Sequence, residues 1–176
     1  MNECLYMCRP KGRSSGAILA AAFFFVGSAA FSAVGLNNRL RRLFFMTALL
    51  MLVVFFLIVK RFLATGYSYA VYADREAGRV DLVIFEHTLA EKEPKTVCRV
   101  SLAAITGIEV FDSGKDSRRR GRAALKATEG MSFGNYCVSI MPRSYCLVRY
   151  NECGERGALK LAVDNGLVEI LKRNLI

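Results

Sequence analysis

The sequence predicts a membrane-spanning α-helical hairpin followed by a soluble, mainly β domain that ends in a helix. Three patterns predict this architecture. Two long apolar runs without charges lie in residues 17–59, short segments with period-two alternation follow from Tyr67, and the final segment has helical spacing. The chain has 176 residues, of which 53% are hydrophobic, so it is too apolar for a disordered protein, and it lacks the repeats of collagen or a solenoid.

The basic residues are concentrated beside the apolar runs. The chain has 25 basic and 15 acidic residues, a net charge of +10. Residues 1–63 contain eight basic residues and one acidic residue, a charge of +7, whereas residues 64–176 carry only +3. Basic flanks are typical of membrane spans. We therefore interpret residues 1–15 as a basic N-terminal segment, residues 16–63 as the hairpin and residues 64–176 as the soluble domain.

The apolar runs have the lengths of membrane spans. Ala17–Leu36 has twenty residues without a charge, and Leu43–Val59 has seventeen. A helix of twenty residues is about 30 Å long, which is the thickness of the bilayer's hydrocarbon core. The two basic residues that follow the second run can extend to the headgroups. We expect helices over about 17–36 and 43–63.

Two other interpretations of these runs stay open. A buried core helix has similar length, although two such runs six residues apart leave too little polar surface to cover them. A cleavable signal peptide would use the preceding basic residues and the small residues of Ser-Ala-Ala-Phe-Ser-Ala, residues 28–33. The first run is longer than the usual apolar core of a signal peptide, which favours a retained hairpin.

The two runs differ in side-chain size. In the first, Ser28 and Ser32 lie four residues apart, as do Ala29 and Ala33, so each pair shares a helix face. The second run is bulky all round. We expect the first helix to pack and the second to face lipid. Neither run contains a charged residue or a histidine, which argues against a transporter or channel.

The short connection over residues 37–42 requires antiparallel helices, which places both termini on one side of the membrane. The positive-inside rule favours cytoplasmic termini, since more basic residues lie near the terminal side than in the connection. Six cysteines without paired metal spacing agree with a reducing compartment. We therefore expect a two-span protein of the cell membrane with a cytoplasmic soluble domain.

Period-two alternation and turn residues predict seven strands in the soluble domain. We expect Pro142-Arg143 to join the fifth and sixth as a hairpin. In that register Cys137 and Cys146 would be diagonal neighbours about 7–8 Å apart, beyond the reach of a disulfide, so six free thiols are expected. The predicted strands are 67–73, 80–85, 96–102, 105–111, 133–141, 145–150 and 158–163.

The closing segment predicts one amphipathic helix over residues 164–175. Leu167, Ile170, Leu171 and Leu175 have helical spacing, and Asp164 is positioned to cap the N-terminus. This apolar stripe either covers the strands or lies on a membrane surface.

The order of elements resembles a known family. Two apolar helices precede Tyr-Ser-Tyr-Ala-Val-Tyr, Val-Asp-Leu-Val-Ile-Phe, Ile-Thr-Gly-Ile-Glu-Val and a closing Leu-Val-Glu-Ile-Leu-Lys-Arg-Asn-Leu. The pattern resembles small bacterial membrane proteins with a pleckstrin-homology-like domain. The resemblance implies a partly open, seven-stranded barrel capped by the C-terminal helix. It implies a non-enzymatic binding or scaffold module that recruits a protein partner or self-associates into a homo-oligomer.

The densest charge lies between residues 112 and 131, which we expect to form a long loop. Two interpretations stay open: a solvated loop without a fixed partner, or an anionic site that binds membrane lipids. Nucleic acid is not expected, because no aromatic residues are interleaved with the charges. The candidate anion-binding or lipid-binding residues are Lys115, Arg118, Arg119, Arg120, Arg122 and Lys126.

The sequence contains no pattern that points to catalysis. His87 is the single histidine, and no neighbouring motif nominates a nucleophile for it. Cys153 lies beside Gly154 in an expected turn and is the best candidate for a reactive thiol, although a position without any function explains it better. Asp74, Glu76 and Asp81 are explained by a solvated turn. We therefore expect no enzyme, no cofactor and no metal.

Overall fold

The computed structural model describes residues 2–10, 15–36, 40–74, 78–89, 93–139, 142 and 144–173. The chain forms two compact units. A helical unit comprises Gly12–Gly66 and Val138–Met141, and a β-rich unit comprises Met1–Lys11, Tyr67–Cys137 and Pro142–Ile176.

The helical unit contains two long apolar helices, as the sequence predicts. Helix α1 spans Ser15–Gly35, and helix α2 spans Arg41–Ile58 and continues as a π-helical segment, Val59–Leu63. Their apolar stretches of 20 and 23 residues, with mean hydropathy 2.1 and 2.7, are long enough to cross a membrane. Only 11% and 6% of these stretches are buried, which is unlike the core helix of a soluble protein.

Helices α1 and α2 pack through small residues. Ala17 and Ala21 of α1 and Ala48 of α2 are buried. A Cβ added to Gly27 would lie 2.9 Å from the Sδ atom of Met51, so this glycine permits close approach. Small residues therefore line the contact between α1 and α2.

Of the four small residues that we expected to pack, the two serines are half-buried and the two alanines are exposed. Ser28 and Ser32 lie on the side of α1 that includes Ala21 and Gly35, whereas Ala29 and Ala33 lie on the other side. Both helices expose large apolar side chains, so the expected contrast between a packing α1 and a lipid-facing α2 is not shown. Those of α2 are Leu43, Phe45, Met46, Leu49, Leu50, Val53, Phe56 and Leu57.

The first sheet of the β-rich unit has the order β1-β2-β3-β4. Its strands are β1, Asn2–Cys8; β2, Thr65–Asp74; β3, Arg79–Thr88; and β4, Lys95–Ser101. Strand β1 was not expected, because we had interpreted residues 1–15 only as a basic segment. It pairs antiparallel with β2, although the whole hairpin separates the two strands in sequence.

The second sheet has the order β5-β7-β8-β6. A short 3-10 helix, Leu102–Ala104, leads from the first sheet into it. Its strands are β5, Ile105–Phe111; β6, Ser132–Asn135; β7, Tyr145–Glu152; and β8, Glu155–Ala162.

The predicted hairpin between 133–141 and 145–150 is wrong. Strand β6 has four residues and pairs in parallel with β8, and β7 pairs with β5 and β8. The two glycines and the turn residues of 151–157 allow β7 and β8 to form the tight hairpin instead. The proposed register of Cys137 against Cys146 therefore does not exist, and Met141 and Arg143 lie outside the described residues. None of the six cysteines, all of which are described, forms a disulfide, as predicted.

Two helices accompany the second sheet. Helix α3, Lys115–Lys126, occupies most of the segment 112–131, where the loop prediction was wrong. Helix α4, Asn165–Arg173, closes the chain. The Leu167 N–H donates to Asp164 Oδ1 over 3.0 Å, which confirms the predicted cap. Leu167 and Leu171 are each 1% exposed, so the apolar stripe covers the strands; Leu175 lies outside the described residues.

The N-terminal strand is bound to the C-terminal helix as well as to β2. The Tyr6 hydroxyl donates to Asp164 Oδ1, the oxygen that caps α4. Gly166 leaves room for the Tyr6 ring, since an added Cβ would lie 2.5 Å from the Tyr6 hydroxyl. The hydrogen bond is the main cause that raises the pKa of Tyr6 to about 12. Residues that precede and follow the helical hairpin in sequence therefore build one domain.

The described residues form two sheets and no closed barrel. The partly open, seven-stranded barrel that the resemblance implied is not confirmed. Tyr69 connects the sheets. Its hydroxyl donates to the Tyr136 carbonyl over 2.9 Å and accepts from the Ala162 N–H over 3.1 Å. Leu82 of the first sheet and Leu161 of the second are both fully buried.

Candidate functional site: the basic face of helix α3

Helix α3 forms because its sequence suits a helix despite its charge. Arginine, lysine, alanine and leucine are good helix formers, and the segment contains no proline. The helix ends where the Thr128 hydroxyl donates to the Leu125 carbonyl over 2.7 Å and Gly130 adopts φ 85°. The signal that we missed is the spacing of small and apolar residues at 117, 121, 124 and 128, which is one helix face.

This small-residue face holds α3 on the second sheet. Gly121 and Ala124 are buried, and Ala124 packs in a cluster with Phe111, Leu147 and Ala158. A side chain at Gly121 would overlap the Tyr145 hydroxyl, so the helix approaches the sheet closely at this point. The apolar face of α3 is therefore used within the domain.

The opposite face carries the charge. Lys115, Arg118, Arg119, Arg122 and Lys126 recur at intervals of three and four residues, so they form one line along the helix, called here the basic stripe. All five side chains are exposed. Five of the six candidate residues are therefore brought together.

Arg120 is the candidate residue that the structure separates from the others. Its neighbours three and four residues away are Asp116, Ser117, Ala123 and Ala124, so it lies beside the packed face. It is exposed and carries the same charge as its neighbour Arg119. Arg120 is therefore a natural control for the basic stripe.

The basic stripe is electrostatically unfavourable in isolation. It contains five neighbouring pairs of like charge, each of which costs about 0.2–0.5 kcal/mol on an exposed helix, so the sum is roughly 1–2.5 kcal/mol. None of its side chains forms an ion pair or hydrogen bond with another described residue. An anion bound along the stripe would relieve this repulsion.

Some other arginines of the β-rich unit are paired with acids. Arg99 forms a salt bridge of 2.5 Å with Asp81, which is also 3.6 Å from Arg79. Asp81 is 3% exposed, so our interpretation of it as a solvated turn residue was wrong. Arg149 lies 2.7 Å from Glu109. The basic stripe differs from these arginines because it has five neighbouring basic side chains without an ion pair among the described residues.

His87 lies next to a hydroxyl that the sequence did not nominate. Its Nε2 atom is 2.7 Å from Ser68 Oγ, on the neighbouring strand. Burial, and then the nearby charge of Arg9, lower the pKa of His87, which favours the neutral ring. Ser68 is fully buried, so a substrate cannot reach its oxygen in this structure. The contact satisfies a buried hydroxyl, which explains the pair without catalysis.

The thiols and acids do not assemble into a second site. Cys153 is exposed in the turn between β7 and β8, with φ 52° beside Gly154 at φ 86°. Burial raises the pKa of Cys146 to about 12, which disfavours the reactive thiolate. Within the described residues, no group of three or more His, Cys, Asp or Glu side chains is arranged to hold a metal ion.

No protein-family model matches the chain, and neither a curated protein nor a solved structure is significantly similar to it.

Proposed function

We propose that this protein is a membrane-anchored, non-enzymatic binding module whose basic stripe on α3 binds anionic lipid headgroups. The observation that carries the proposal is the stripe itself, five exposed basic side chains on one helix face without a partner among the described residues. Each basic residue near an anionic leaflet contributes about 1 kcal/mol. Because the apolar face of α3 is packed on the sheet, binding is electrostatic and depends on salt.

The anchor in this proposal is the helical hairpin in a cell membrane, with both termini and the β-rich unit in the cytoplasm. Its support is the pairing of β1, which precedes the hairpin, with β2, which follows it. A chain that crosses the membrane twice returns to the side on which it started, so β1 and β2 can lie on the same side and pair. Cleavage of α1 as a signal peptide would remove β1 from the domain.

The pleckstrin-homology-like relationship also stays a proposal. It is supported by the order of elements after the hairpin, where the described residues form strands β2–β8 in two sheets and then helix α4. Strand β1 and the parallel pairing of β6 with β8 are departures from the barrel that the resemblance implied.

Hydrogen exchange of the full chain in nanodiscs tests the lipid proposal. We expect exchange in residues 115–126 to slow when phosphatidylglycerol is added to phosphatidylcholine, and to recover in high salt. Arg119→Gln should raise the anionic lipid fraction needed for half-protection about fivefold, which corresponds to about 1 kcal/mol. The matched variant Arg120→Gln should change it little. Equal effects of both variants, or no protection by anionic lipid, would reject the stripe as the site.

A second candidate function is scaffolding by self-association through β1. This strand lies at the end of its sheet, and Leu5 and Met7 are 50% and 56% exposed. Exposed edge strands pair with further strands, and a lysine at the edge opposes such pairing. Native mass spectrometry of the full chain should then show a dimer that Met7→Lys dissociates. A monomeric native chain would exclude this candidate.

A further inference from the structure

Three arginines form the centre of the basic stripe. Arg122 lies four residues after Arg118 and three after Arg119, so each of the two earlier side chains neighbours it on the helix surface. The Cβ atoms of such neighbours are about 5–6 Å apart, which long guanidinium side chains can bridge. All three are exposed and none has an ion-pair partner among the described residues.

The two lysines extend the stripe at its ends. Lys115 lies one turn before the arginine cluster and Lys126 lies one turn after it. From Lys115 to Lys126 the helix rises about 16 Å, at about 1.5 Å per residue. The stripe therefore has three arginines at its centre and one lysine at each end. This arrangement suits a lipid surface, where the lysines can contact several headgroups while the arginines bind one headgroup between them.

Arginine and lysine differ in how they bind phosphate. The guanidinium group is a planar fork that donates two parallel hydrogen bonds to a phosphate, whereas the ammonium group acts as a point charge. A phosphomonoester offers three terminal oxygens and a charge of about −1.5 to −2 near neutral pH. A phosphodiester offers two such oxygens and a single charge. Three adjacent guanidinium groups are therefore better matched to the monoester.

We infer that the cluster Arg118, Arg119 and Arg122 makes the protein selective for lipid phosphomonoesters, as in phosphatidic acid, over lipid phosphodiesters of equal surface charge. The inference rests on the proposed function, in which α3 binds anionic lipid. It adds that guanidinium geometry, and not charge alone, selects the headgroup.

The test compares two anionic lipids in nanodiscs that hold the full chain. Two series of phosphatidylcholine discs contain increasing amounts of phosphatidic acid or of phosphatidylglycerol, and hydrogen exchange of residues 115–126 is compared as a function of the surface charge obtained from the zeta potential. We expect half-protection in the phosphatidic acid series at a surface charge at least about fivefold lower, the effect of one additional charged contact. Equal midpoints would overturn the selectivity and leave the lipid-binding function intact. Protection by neither lipid would overturn both.

A charge-conserving variant tests the role of the guanidinium groups. The triple substitution R118K/R119K/R122K should abolish the difference between the two lipids and retain salt-sensitive protection by both. Retained selectivity in this variant would overturn the assignment to arginine geometry. Unchanged exchange in β7 and β8 confirms that the variant is folded.

A soluble phosphomonoester distinguishes the two sources of this chemistry. Glycerol 3-phosphate added to discs of phosphatidylcholine alone should leave exchange in α3 unchanged, because it does not supply the many headgroups that the whole stripe contacts. If glycerol 3-phosphate protected α3 as much as phosphatidic acid does, the stripe would bind a free phosphomonoester and not a lipid surface. That result would overturn the inference.

Discussion

The substitution Leu171→Ala measures how much helix α4 stabilises the β-rich unit. Leu171 is 1% exposed and is among the largest fully buried side chains. Truncation of a buried leucine to alanine costs about 2–5 kcal/mol, because transfer free energy is lost and a cavity remains. A domain of this size is stable by about 5–15 kcal/mol, so the variant should stay folded with a clearly reduced margin.

The assay is thermal unfolding of the full chain in neutral detergent. The full chain is needed because a fragment that starts at residue 64 lacks strand β1 and exposes the edge of β2. A loss of 2–5 kcal/mol should lower the Tm by about 8–20 °C, at about 4 °C per kcal/mol. The control Lys172→Ala changes an exposed side chain on the same helix and should alter stability by only a few tenths of a kcal/mol.

One result would refute this reasoning. If Leu171→Ala and Lys172→Ala both left the Tm unchanged, the leucine stripe of α4 would not lie in the domain core. The alternative of a helix on the membrane surface would then be correct.

Three further predictions concern α3, the N-terminal strand and the topology. Gly121→Ala should destabilise the domain by about 1–3 kcal/mol through overpacking against the tyrosine ring behind it. The comparison variant Gly114→Ala adds a Cβ in open space at the N-cap of α3, so it should cost less in the same melts, at most about 1 kcal/mol, because alanine is a poorer N-cap than glycine. The pKa of Tyr6 is raised to about 12, so its contribution to stability is complete below its ordinary pKa near 10 and is lost as the pH rises through 12; Tyr6→Phe should remove that part of the alkaline loss in a pH series of unfolding midpoints. Cys4 and Cys153 are both exposed, so a membrane-impermeant thiol reagent should label neither in intact cells and both after lysis, and labelling of only one would contradict a shared side.

Local patterns predicted those elements whose formation depends on their own residues. The apolar runs that became α1 and α2 need no partner to be recognised, since their length and lack of charge suit a bilayer. The alternation in β2, β3 and β5 and the cap and stripe of α4 are likewise visible in short windows. The candidate residues of the site were also visible, because a run of basic residues is a property of composition.

Long-range pairing decided what the sequence left open. Strand β1 becomes a strand because β2, beyond the hairpin, offers it a free edge, and β6 pairs with β8 because tertiary packing brings them together. A short window contains neither partner. The charged segment 115–126 has only a weak local preference for a helix. Gly121 alone favours a loop, and its close contact with Tyr145 exists only in the folded chain.

The sequence by itself determined the two apolar helices, most strands, the closing helix and the identity of the basic residues. Only the tertiary structure decided that these basic residues form a stripe, because their alignment depends on a helix that is held in place by packing on the second sheet. It also decided that residues before the hairpin complete the domain. Both outcomes follow from contacts between residues distant in sequence, whose free energy exceeds weak local preferences once the chain is compact.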